Sequence, residues 1–343
     1  LALNTGAKKG GFYHNTGEGG LSDHHLQAGG DLVWQIGTGY FGCRDKDGRF
    51  DAELFRSKVA AHPQVRMIEL KLSQGAKPGH GGVLPAVKNT PEIARIRHLE
   101  PHTTVISPPG HSSFSDATGL LRFIGTLREL SGGLPVGFKL CIGRTEEFTG
   151  ICEKMVETGM RPDFITVDGA EGGTGASPLE FTDSVGMPIE PALMFVRRTL
   201  ERFNLHQEVK IIASGKVLTA ASLMKMLAMG ADVCNSARGF LFSLGCIQAL
   251  RCNTNDCPTG ITTHQRGLVR GLVVTEKSER VYHFHRNTLH SLMELLAACG
   301  LDHVEQVNTG HFMRGDEFVK LADRYFPDGL GHVMHPSPSD SKG

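Results

Sequence analysis

Seven short apolar runs divide the chain at fairly regular intervals, and each is followed by a helical pattern. The runs cover residues 32–36, 67–72, 104–107, 137–141, 164–168, 210–214 and 232–236. The helical patterns between them cover residues 51–61, 90–98, 115–131, 145–159, 188–204 and 217–229. Most of the runs are continuously apolar rather than alternating, which is typical of parallel strands that helices cover on both faces.

A series of β-α units predicts a (β/α)8 barrel of the TIM type. Because only seven runs are present, we expect the first strand to lie upstream of Leu1 and the chain to be part of a longer protein. A doubly wound sheet is the alternative, but no GxGxxG motif follows the first run. We assign the barrel to residues 1–265, with a cysteine loop at 243–260. A helical C-terminal extension at 266–330 and a disordered tail at 331–343 complete the predicted organisation.

The charge and cysteine content narrow the class of protein. Lys and Arg number 36, Asp and Glu also number 36, and the formal net charge is zero. Such a chain has no overall field to attract nucleic acid, so we expect no nucleic-acid partner. No apolar stretch reaches the length of a membrane span, and the first residues lack the apolar core of a signal peptide. Most of the cysteines lie in apolar runs, which predicts a reducing compartment and hence a cytoplasmic location.

Barrel enzymes carry their chemistry at the carboxyl ends of the strands. Lys71 and Lys139 fall at two such ends. Charged side chains are seldom buried unless they are paired. We therefore predict that these two lysines contact an anion or a cofactor, with a salt bridge inside the barrel mouth as the alternative.

Glycine-rich segments follow the later strands. The segment GAEGGTGAS at 169–177 is expected to line the cofactor or substrate, because backbone N–H groups without Cβ obstruction can surround an anion. The loops after residues 214 and 236 are expected to hold a phosphate, as the last loops of such barrels often do. An ordinary turn is the alternative for each. The candidate cofactor-binding residues, besides Lys139, are Gly172, Gly173, Thr174, Gly175, Ser214, Gly215, Lys216, Ser236 and Ala237.

A long loop at 73–84, SQGAKPGHGGVL, brings Gln74 and Lys77 over the predicted barrel mouth. It has the features of a lid or a carboxylate clamp. Arg97, on the following helix, adds a side chain that binds carboxylates with two hydrogen bonds. The alternative for Arg97 is a solvated residue on the helix surface.

Three cysteines lie close together in the chain, at Cys246, Cys252 and Cys257, and Pro258 follows the last of them. This spacing is typical of an iron–sulfur loop. A zinc site is the competitor, but the usual CxxC pairs are absent and His264 would have to complete it. Three free thiols are the remaining alternative.

Several motifs occur in an order that resembles the FMN-binding synthase domain of glutamate synthase, and most closely the short, stand-alone members of that family. The motifs are NTGEGG at 15–20, QGAKPGHGG at 74–82, ISPP at 106–109, GGTGASP at 172–178 and LGCIQALRCNTNDCPTG at 244–260. The resemblance implies a (β/α)8 barrel that holds FMN and a 3Fe-4S cluster. The implied cluster ligands are Cys246, Cys252 and Cys257. It further implies that Lys139 lies near the flavin ring, that Gln74, Lys77 and Arg97 bind 2-oxoglutarate, and that Lys71 lies near the active centre.

The chain departs from the family motifs at three places. His80 stands where the family has Glu. The segment 168–171, Asp-Gly-Ala-Glu, replaces Ser-Gly-His-Asp, and Ser214-Gly215-Lys216 replaces Asp-Gly-Gln. These departures bear on the substrate more than on the flavin.

The resemblance implies an oxidoreductase acting on CH-NH2 donors, which reduces 2-iminoglutarate, formed from 2-oxoglutarate and ammonia, to L-glutamate. Electrons would pass through the iron–sulfur cluster from ferredoxin or a reductase subunit. No amidotransferase segment or dinucleotide fingerprint occurs, so the amine source, such as a separate glutaminase, and the electron donor are expected to be partners. A homo-oligomer and a membrane anchor upstream of Leu1 are further open possibilities. The alternative functions are an N-methylglutamate synthase-like reaction with methylamine and a flavin electron-relay subunit without its own substrate.

Overall fold

A parallel sheet of seven strands organises the part of the chain that the structure describes, a computed structural model covering residues 1–172, 177–312, 320 and 323–325. Its strands are β1 (His14–Asn15), β2 (Leu32–Ile36), β3 (Val65–Lys71), β6 (Val136–Leu140), β7 (Phe164–Asp168), β8 (Lys210–Ser214) and β9 (Val233–Asn235). They follow the order β1-β2-β3-β6-β7-β8-β9 in the sheet, and every neighbouring pair is parallel. A separate antiparallel pair consists of β4 (Val83–Leu84) and β5 (Val105–Ile106).

The sheet curls until its two edges face each other. The hydroxyl of Tyr13, next to β1, donates a hydrogen bond of 2.6 Å to Oδ1 of Asn235 in β9. Helices connect successive strands on the outside, so the architecture is the α/β barrel type that the repeated β-α pattern predicted.

Eleven α-helices are assigned within the described residues. They are α1 (Ala2–Gly10), α2 (Asp23–Leu26), α3 (Ala52–Ala61), α4 (Pro91–Arg97), α5 (Ala117–Leu130), α6 (Thr145–Thr158), α7 (Ile189–Arg202), α8 (Ala220–Ala228), α9 (Ala237–Leu244), α10 (Arg266–Val269) and α11 (Val274–Ala298). Local sequence sets several of their ends. The side chains of Asp51 and Asp116 accept hydrogen bonds from backbone N–H groups in the first turns of α3 and α5. Helix α6 ends at Gly159, whose φ of 70° lies in the left-handed region that glycine tolerates.

The continuous apolar runs are explained by burial on both faces. All five residues of β2 are buried, and so are all five of β7. A buried acid, Glu69 in β3, is 1% exposed. Its carboxylate accepts hydrogen bonds from Asn15, Gln35 and Thr166, at 2.5–2.8 Å, so one buried acid links strands β1, β2, β3 and β7.

Two strand predictions need correction. The run at 104–107 is not a strand of the main sheet, because only Val105–Ile106 is extended and it pairs antiparallel with Val83–Leu84. Pro108 and Pro109 follow it, and neither residue has the N–H that a ladder requires. Conversely, the main sheet contains His14–Asn15, which no apolar run marks because both residues are polar. The expected strand upstream of Leu1 stays a prediction.

Helix α11 packs against the amino-terminal end of the chain. Val281 of α11 is fully buried with Ala2 and Leu244. A Cβ atom at Gly6 would lie 2.4 Å from a methyl carbon of Val281, so the two helices approach closely because position 6 has no side chain. The described part of the predicted extension at 266–330 therefore contains α10 and α11. The predicted tail at 331–343 lies outside the described residues. No helix among the described residues is both long enough and apolar enough to cross a membrane.

Candidate active site

Lys71 and Lys139 lie side by side at the carboxyl ends of β3 and β6, where the parallel register pairs them directly. Nζ of Lys71 is 2.9 Å from Oε2 of Glu18 and donates to Oε1 of Gln74 at 2.5 Å. Nζ of Lys139 is 3.3 Å from Oδ2 of Asp168. Both ammonium groups are thus ion-paired, as the salt-bridge alternative anticipated. Lys139 also lines a cavity, and both partners of Lys71 line another.

Burial and neighbouring charge act differently on these groups. Burial lowers the pKa of the Lys71 ammonium, and the Glu18 carboxylate opposes this without reversing it. Burial alone would raise the pKa of Glu18, but Lys71, Lys77 and Arg97 together hold it below its ordinary value. Burial alone would lower the pKa of Lys139, but Asp168 and Glu69 outweigh this and raise it. Lys139 is therefore a lasting positive charge, and Lys71 is the lysine that releases its proton more readily.

A cavity of about 470 Å³ brings together Gln74, Lys77 and Arg97, the residues expected to bind substrate. Lys77 is only 8% exposed, and its Nζ donates to the carbonyl of Gly81 at 3.2 Å. The guanidinium of Arg97 lies 4.9 Å from the centre of the Phe41 ring. Arg97 is therefore a cavity residue held against an aromatic ring, and not the solvated helix residue of the alternative interpretation.

The charges that line this smaller cavity are mainly positive. Lys77, Lys88 and Arg97 contribute three cations, and Glu18 contributes a carboxylate. Glu18 is already paired with Lys71, which does not itself line this cavity. The cations of Lys77 and Arg97 are therefore available to a ligand. The arrangement suits an anionic ligand with more than one acidic group.

A larger cavity of about 540 Å³ opens between the two sheet edges, where α1 and α11 also contribute to its wall. Lys139, Ser214, Ser236 and Ala237 line it, together with apolar side chains such as Phe12. Four of the predicted cofactor residues therefore share one space. Gly215 and Lys216 follow Ser214 but are not part of the lining, and Nζ of Lys216 is 3.5 Å from Oδ1 of the exposed Asp183.

The glycine-rich segment after β7 is described only in part. Gly172 donates its backbone N–H to the carbonyl of Gly169 at 3.0 Å, forming a tight turn. Gly173, Thr174 and Gly175 lie outside the described residues, so their predicted role in cofactor binding stays a prediction. Glu171, one of the departures from the family motif, accepts the backbone N–H of Ile189 at the start of α7. It therefore caps a helix rather than facing either cavity.

The cysteine loop lies beside the smaller cavity, which Cys252 lines. Nζ of Lys88 donates to the carbonyl oxygens of Cys252 and Thr262, at 2.7 and 3.0 Å, and so fastens the loop. Hydrogen bonds from Thr259 and Thr262 outweigh the effect of burial and lower the pKa of the Cys257 thiol to about 6. Within the described part of the chain, no three Cys, His, Asp or Glu side chains form a group that could hold a metal ion. The 3Fe-4S cluster with Cys246, Cys252 and Cys257 as ligands therefore stays a prediction.

Sequence reasoning missed two charged residues and one aromatic residue of the site. Glu18 lies within NTGEGG, and its single charge among glycines was the available signal. Glu69 stands inside an apolar run, where an acid is unusual. Phe41 carried no signal, because its contact with Arg97 joins parts of the chain that only the fold brings together.

The overall fold matches solved structures of other proteins. A variant of flavocytochrome b2 with benzoylformate aligns with a TM-score of 0.53 and 12% identity, over 93% of this chain and 68% of that chain. A mandelate oxidase variant with benzaldehyde aligns with a TM-score of 0.51 and 15% identity, over 89% of this chain and 70% of that chain. These likenesses concern the fold alone. Fold and site together define an α/β barrel protein with a cationic cavity at its strand ends.

The chain belongs to the glutamate synthase family, because the conserved region in glutamate synthase matches residues 1–302. It is 45% identical to the glutamate synthase large subunit-like protein YerD of Bacillus subtilis over 293 residues, which is 85% of this chain and 55% of that protein. It is 32% identical to the archaeal glutamate synthase (NADPH) of Methanocaldococcus jannaschii over 308 residues, which is 90% of this chain and 57% of that protein. The chain thus spans a little over half the length of these relatives. The predicted family is confirmed.

Proposed function

We propose that this chain is the catalytic barrel of an FMN-dependent oxidoreductase that reduces 2-iminoglutarate, formed from 2-oxoglutarate and ammonia, to L-glutamate. The observation that carries the proposal is the smaller cavity, in which Gln74, Lys77 and Arg97 come together beside Lys71. Membership in the glutamate synthase family supports it, as does the name of the archaeal relative, glutamate synthase (NADPH).

Lys77 and Arg97 bind the two carboxylates of the substrate in this proposal. A dicarboxylate needs two cations, and these two line one cavity in which Glu18 is already paired with Lys71. Gln74 adds an amide that donates hydrogen bonds through its nitrogen while its oxygen accepts from Lys71. This contact orients the Gln74 amide, so its nitrogen is directed away from Lys71 and is free to bind a carbonyl or carboxylate oxygen.

Lys71 supplies the proton in the proposed reaction. Reduction of an imine to an amine adds a hydride to carbon and a proton to nitrogen. Burial lowers the pKa of Lys71, which makes its ammonium a more effective general acid near neutral pH. The Glu18 carboxylate, 2.9 Å away, holds the ammonium in place and stabilises it until the proton is transferred.

The larger cavity has the chemistry that FMN requires. Its walls combine apolar side chains with the ammonium of Lys139 and the hydroxyls of Ser214 and Ser236. Ser236 donates its hydroxyl to the carbonyl of Val217 at 2.5 Å instead of capping α9, and Ala237 in the first turn of α9 lines the cavity. A helix start of this kind suits a phosphate. Lys139, Ser214 and Ser236 would hold FMN here. The flavin would supply the hydride, and the Lys139 ammonium would stabilise negative charge on it.

The described side chains form no group that could hold a metal ion, so no step of the proposed reaction depends on an iron–sulfur cluster. Electron delivery from ferredoxin or a reductase subunit and amine supply from a separate glutaminase remain predictions about partners. Cys252 lines the smaller cavity. The cysteine loop is therefore near enough to the proposed substrate site to take part in electron delivery or in amine supply.

The proposal is tested on the natural protein purified without oxygen. After the protein is denatured, we expect the supernatant to contain one FMN per chain. We also expect calorimetry to show binding of 2-oxoglutarate that weakens strongly when Lys77 is replaced by Met. A matched control is Lys154→Met, which removes an exposed lysine paired with Glu157 on α6 and should leave binding unchanged. Flavin without 2-oxoglutarate binding would favour the electron-relay alternative. Absence of both would overturn the proposal.

Turnover assays with ammonium and with methylamine distinguish the proposed reaction from the N-methylglutamate synthase-like alternative. The proposed reaction predicts that the reduced protein converts 2-oxoglutarate to glutamate with ammonium. Product formation with methylamine but not with ammonium would instead indicate an N-methylglutamate synthase-like reaction.

A further inference from the structure

One carboxylate contacts groups from three separate elements at the centre of the strand ends. Asp168, the last residue of β7, is 6% exposed. Its Oδ1 accepts the hydroxyl proton of Ser214 at 2.6 Å, from the neighbouring strand β8. Its Oδ2 accepts the backbone N–H of Gly75 at 2.8 Å and lies 3.3 Å from Nζ of Lys139. Both oxygens of the carboxylate are therefore engaged, one by Ser214 and the other by Gly75 and Lys139.

We propose that Asp168 is a positioning residue, which fixes the Lys139 ammonium toward the larger cavity and connects it to the loop that bears Gln74 and Lys77. The catalytic consequence rests on the proposed function, because it assumes that Lys139 acts on a bound flavin. The structural part concerns only contacts within this chain and is tested without a cofactor.

The loop at 72–82, here called the Gln74 loop, docks tightly on the end of β7. A Cβ atom at Gly75 would lie 1.7 Å from the carbonyl oxygen of Gly169, so only glycine allows this approach. The hydroxyl of Ser177 also donates to the carbonyl of Ala76 at 2.5 Å. Because Gly75 and Lys139 share one carboxylate oxygen, a displacement of the Gln74 loop changes what Lys139 contacts.

Asp168 and Ser214 are direct partners in the register of β7 and β8. They place one carboxylate and one hydroxyl side by side between the two strands, and the hydroxyl donates to the carboxylate. Exchanging the two residues would keep both groups between the same strands. If the task of the acid is to face Lys139, the exchanged arrangement should also meet it.

The charged groups around Lys139 come from three parts of the chain. Asp168 on β7, Glu69 and Lys71 on β3, and Glu18 after β1 all act on it electrostatically. Glu69 is occupied by Asn15, Gln35 and Thr166, and Glu18 by Lys71. Asp168 is therefore the acid with the direct contact, and the one whose removal should affect Lys139 most.

The test measures the titration of Lys139 by nitrogen-detected NMR in protein labelled at its lysine side chains. The Lys139→Arg variant assigns the signal, because it deletes that resonance alone. In Asp168→Asn, which keeps the shape and an acceptor oxygen, we expect the titration midpoint of Lys139 to move to lower pH. In the transposed variant, Asp168→Ser with Ser214→Asp, we expect the midpoint to return toward that of the wild type.

The matched control is Asp163→Asn. Asp163 lies just before the opposite end of the same strand, where it pairs with Arg128 at 2.8 Å. It should leave the Lys139 midpoint unchanged. An unchanged midpoint in Asp168→Asn would overturn the proposal, and so would a transposed variant that behaves like Asp168→Ser alone. If Asp168→Asn fails to fold, the comparison of the transposed variant with the wild type decides.

A second readout separates this proposal from the proposed function. In flavin-loaded protein that turns over, Asp168→Asn should lower kcat by about 10- to 100-fold, the range expected when a catalytic group is displaced, with a smaller change in the KM for 2-oxoglutarate. A shift in the Lys139 midpoint in a protein without flavin or turnover would support the positioning role and refute the proposed function. Turnover of the flavin-loaded protein, together with an unchanged Lys139 midpoint in Asp168→Asn, would support the proposed function and refute the positioning role.

Discussion

Replacing Gly75 by Ala tests how strictly the Gln74 loop must be placed. The added Cβ would lie 1.7 Å from the carbonyl oxygen of Gly169, whereas ordinary contacts begin at 3.4 Å. The loop must therefore retreat by about the difference, roughly 1.7 Å on this van der Waals argument. A retreat of that size breaks the 2.8 Å hydrogen bond from the Gly75 N–H to Asp168 and displaces Gln74.

Two effects of different size follow from this retreat. Overpacking of this kind costs about 1–3 kcal/mol of unfolding free energy, which a barrel of this size tolerates. Misplacement of a binding group by about 1 Å weakens its function by up to ~10²-fold. We therefore expect Gly75→Ala to remain folded in urea titrations and to bind 2-oxoglutarate about 10- to 100-fold more weakly by calorimetry.

The control for this prediction is Gly143→Ala. Gly143 also follows a strand of the main sheet, and a Cβ atom there would meet nothing within 4 Å. It should alter neither unfolding nor binding. If Gly75→Ala bound 2-oxoglutarate as tightly as the wild type, the Gln74 loop would not position the substrate, and the assignment of Gln74 and Lys77 to substrate binding would be refuted.

Three further predictions concern other parts of the site. Arg97→Lys keeps the charge but loses the planar group that stacks on Phe41, so calorimetry should show about tenfold weaker 2-oxoglutarate binding, and unchanged affinity would contradict this. The buried ring of His111 has its Nε2 2.9 Å from the carbonyl oxygen of Lys71. Burial lowers the pKa of His111 from 6.5 to about 4, so the unfolded chain takes up its proton first and stability should fall, by ~1.4 kcal/mol per pH unit, as pH drops from 6.5 to about 4. Urea titrations should show that the free energy of unfolding depends less on pH in His111→Phe than in the wild type. An identical pH dependence would refute the lowered pKa of His111. Lys88→Met removes the donor to the carbonyl of Cys252, so a thiol reagent should modify Cys252 faster than in the wild type, and an equal rate would show that Lys88 does not fasten the loop.

The barrel was predictable because its strands bury both faces. Runs such as Leu32–Ile36 and Phe164–Asp168 are mainly apolar and are buried at every position, and helical patterns follow them. His14–Asn15 was not predictable by the same argument, since two polar residues cannot form an apolar run. The prediction that Val105–Ile106 belongs to the main sheet was wrong for the converse reason. An apolar pair also suits a short antiparallel ribbon outside that sheet.

The grouping of candidate site residues was predictable where a motif carried it. Gln74, Lys77 and Arg97 were proposed together, and they line one cavity. The pairing of Glu18 with Lys71 and of Asp168 with Lys139 was not, because each joins residues that are distant in the chain. Which side chain neutralises a buried lysine depends on strand register, and register follows from the whole set of packed side chains.

The proposed reaction joins 2-oxoglutarate and ammonia with two electrons from a bound flavin, and a single-turnover experiment on the natural protein tests it most directly. The flavin is photoreduced without oxygen in the presence of a sacrificial electron donor, and the protein is then mixed with 2-oxoglutarate, with ammonium, or with both. We expect rapid flavin reoxidation only with both compounds, and one glutamate per oxidised flavin. Reoxidation by 2-oxoglutarate alone, or reoxidation with both compounds but without glutamate, would contradict the account.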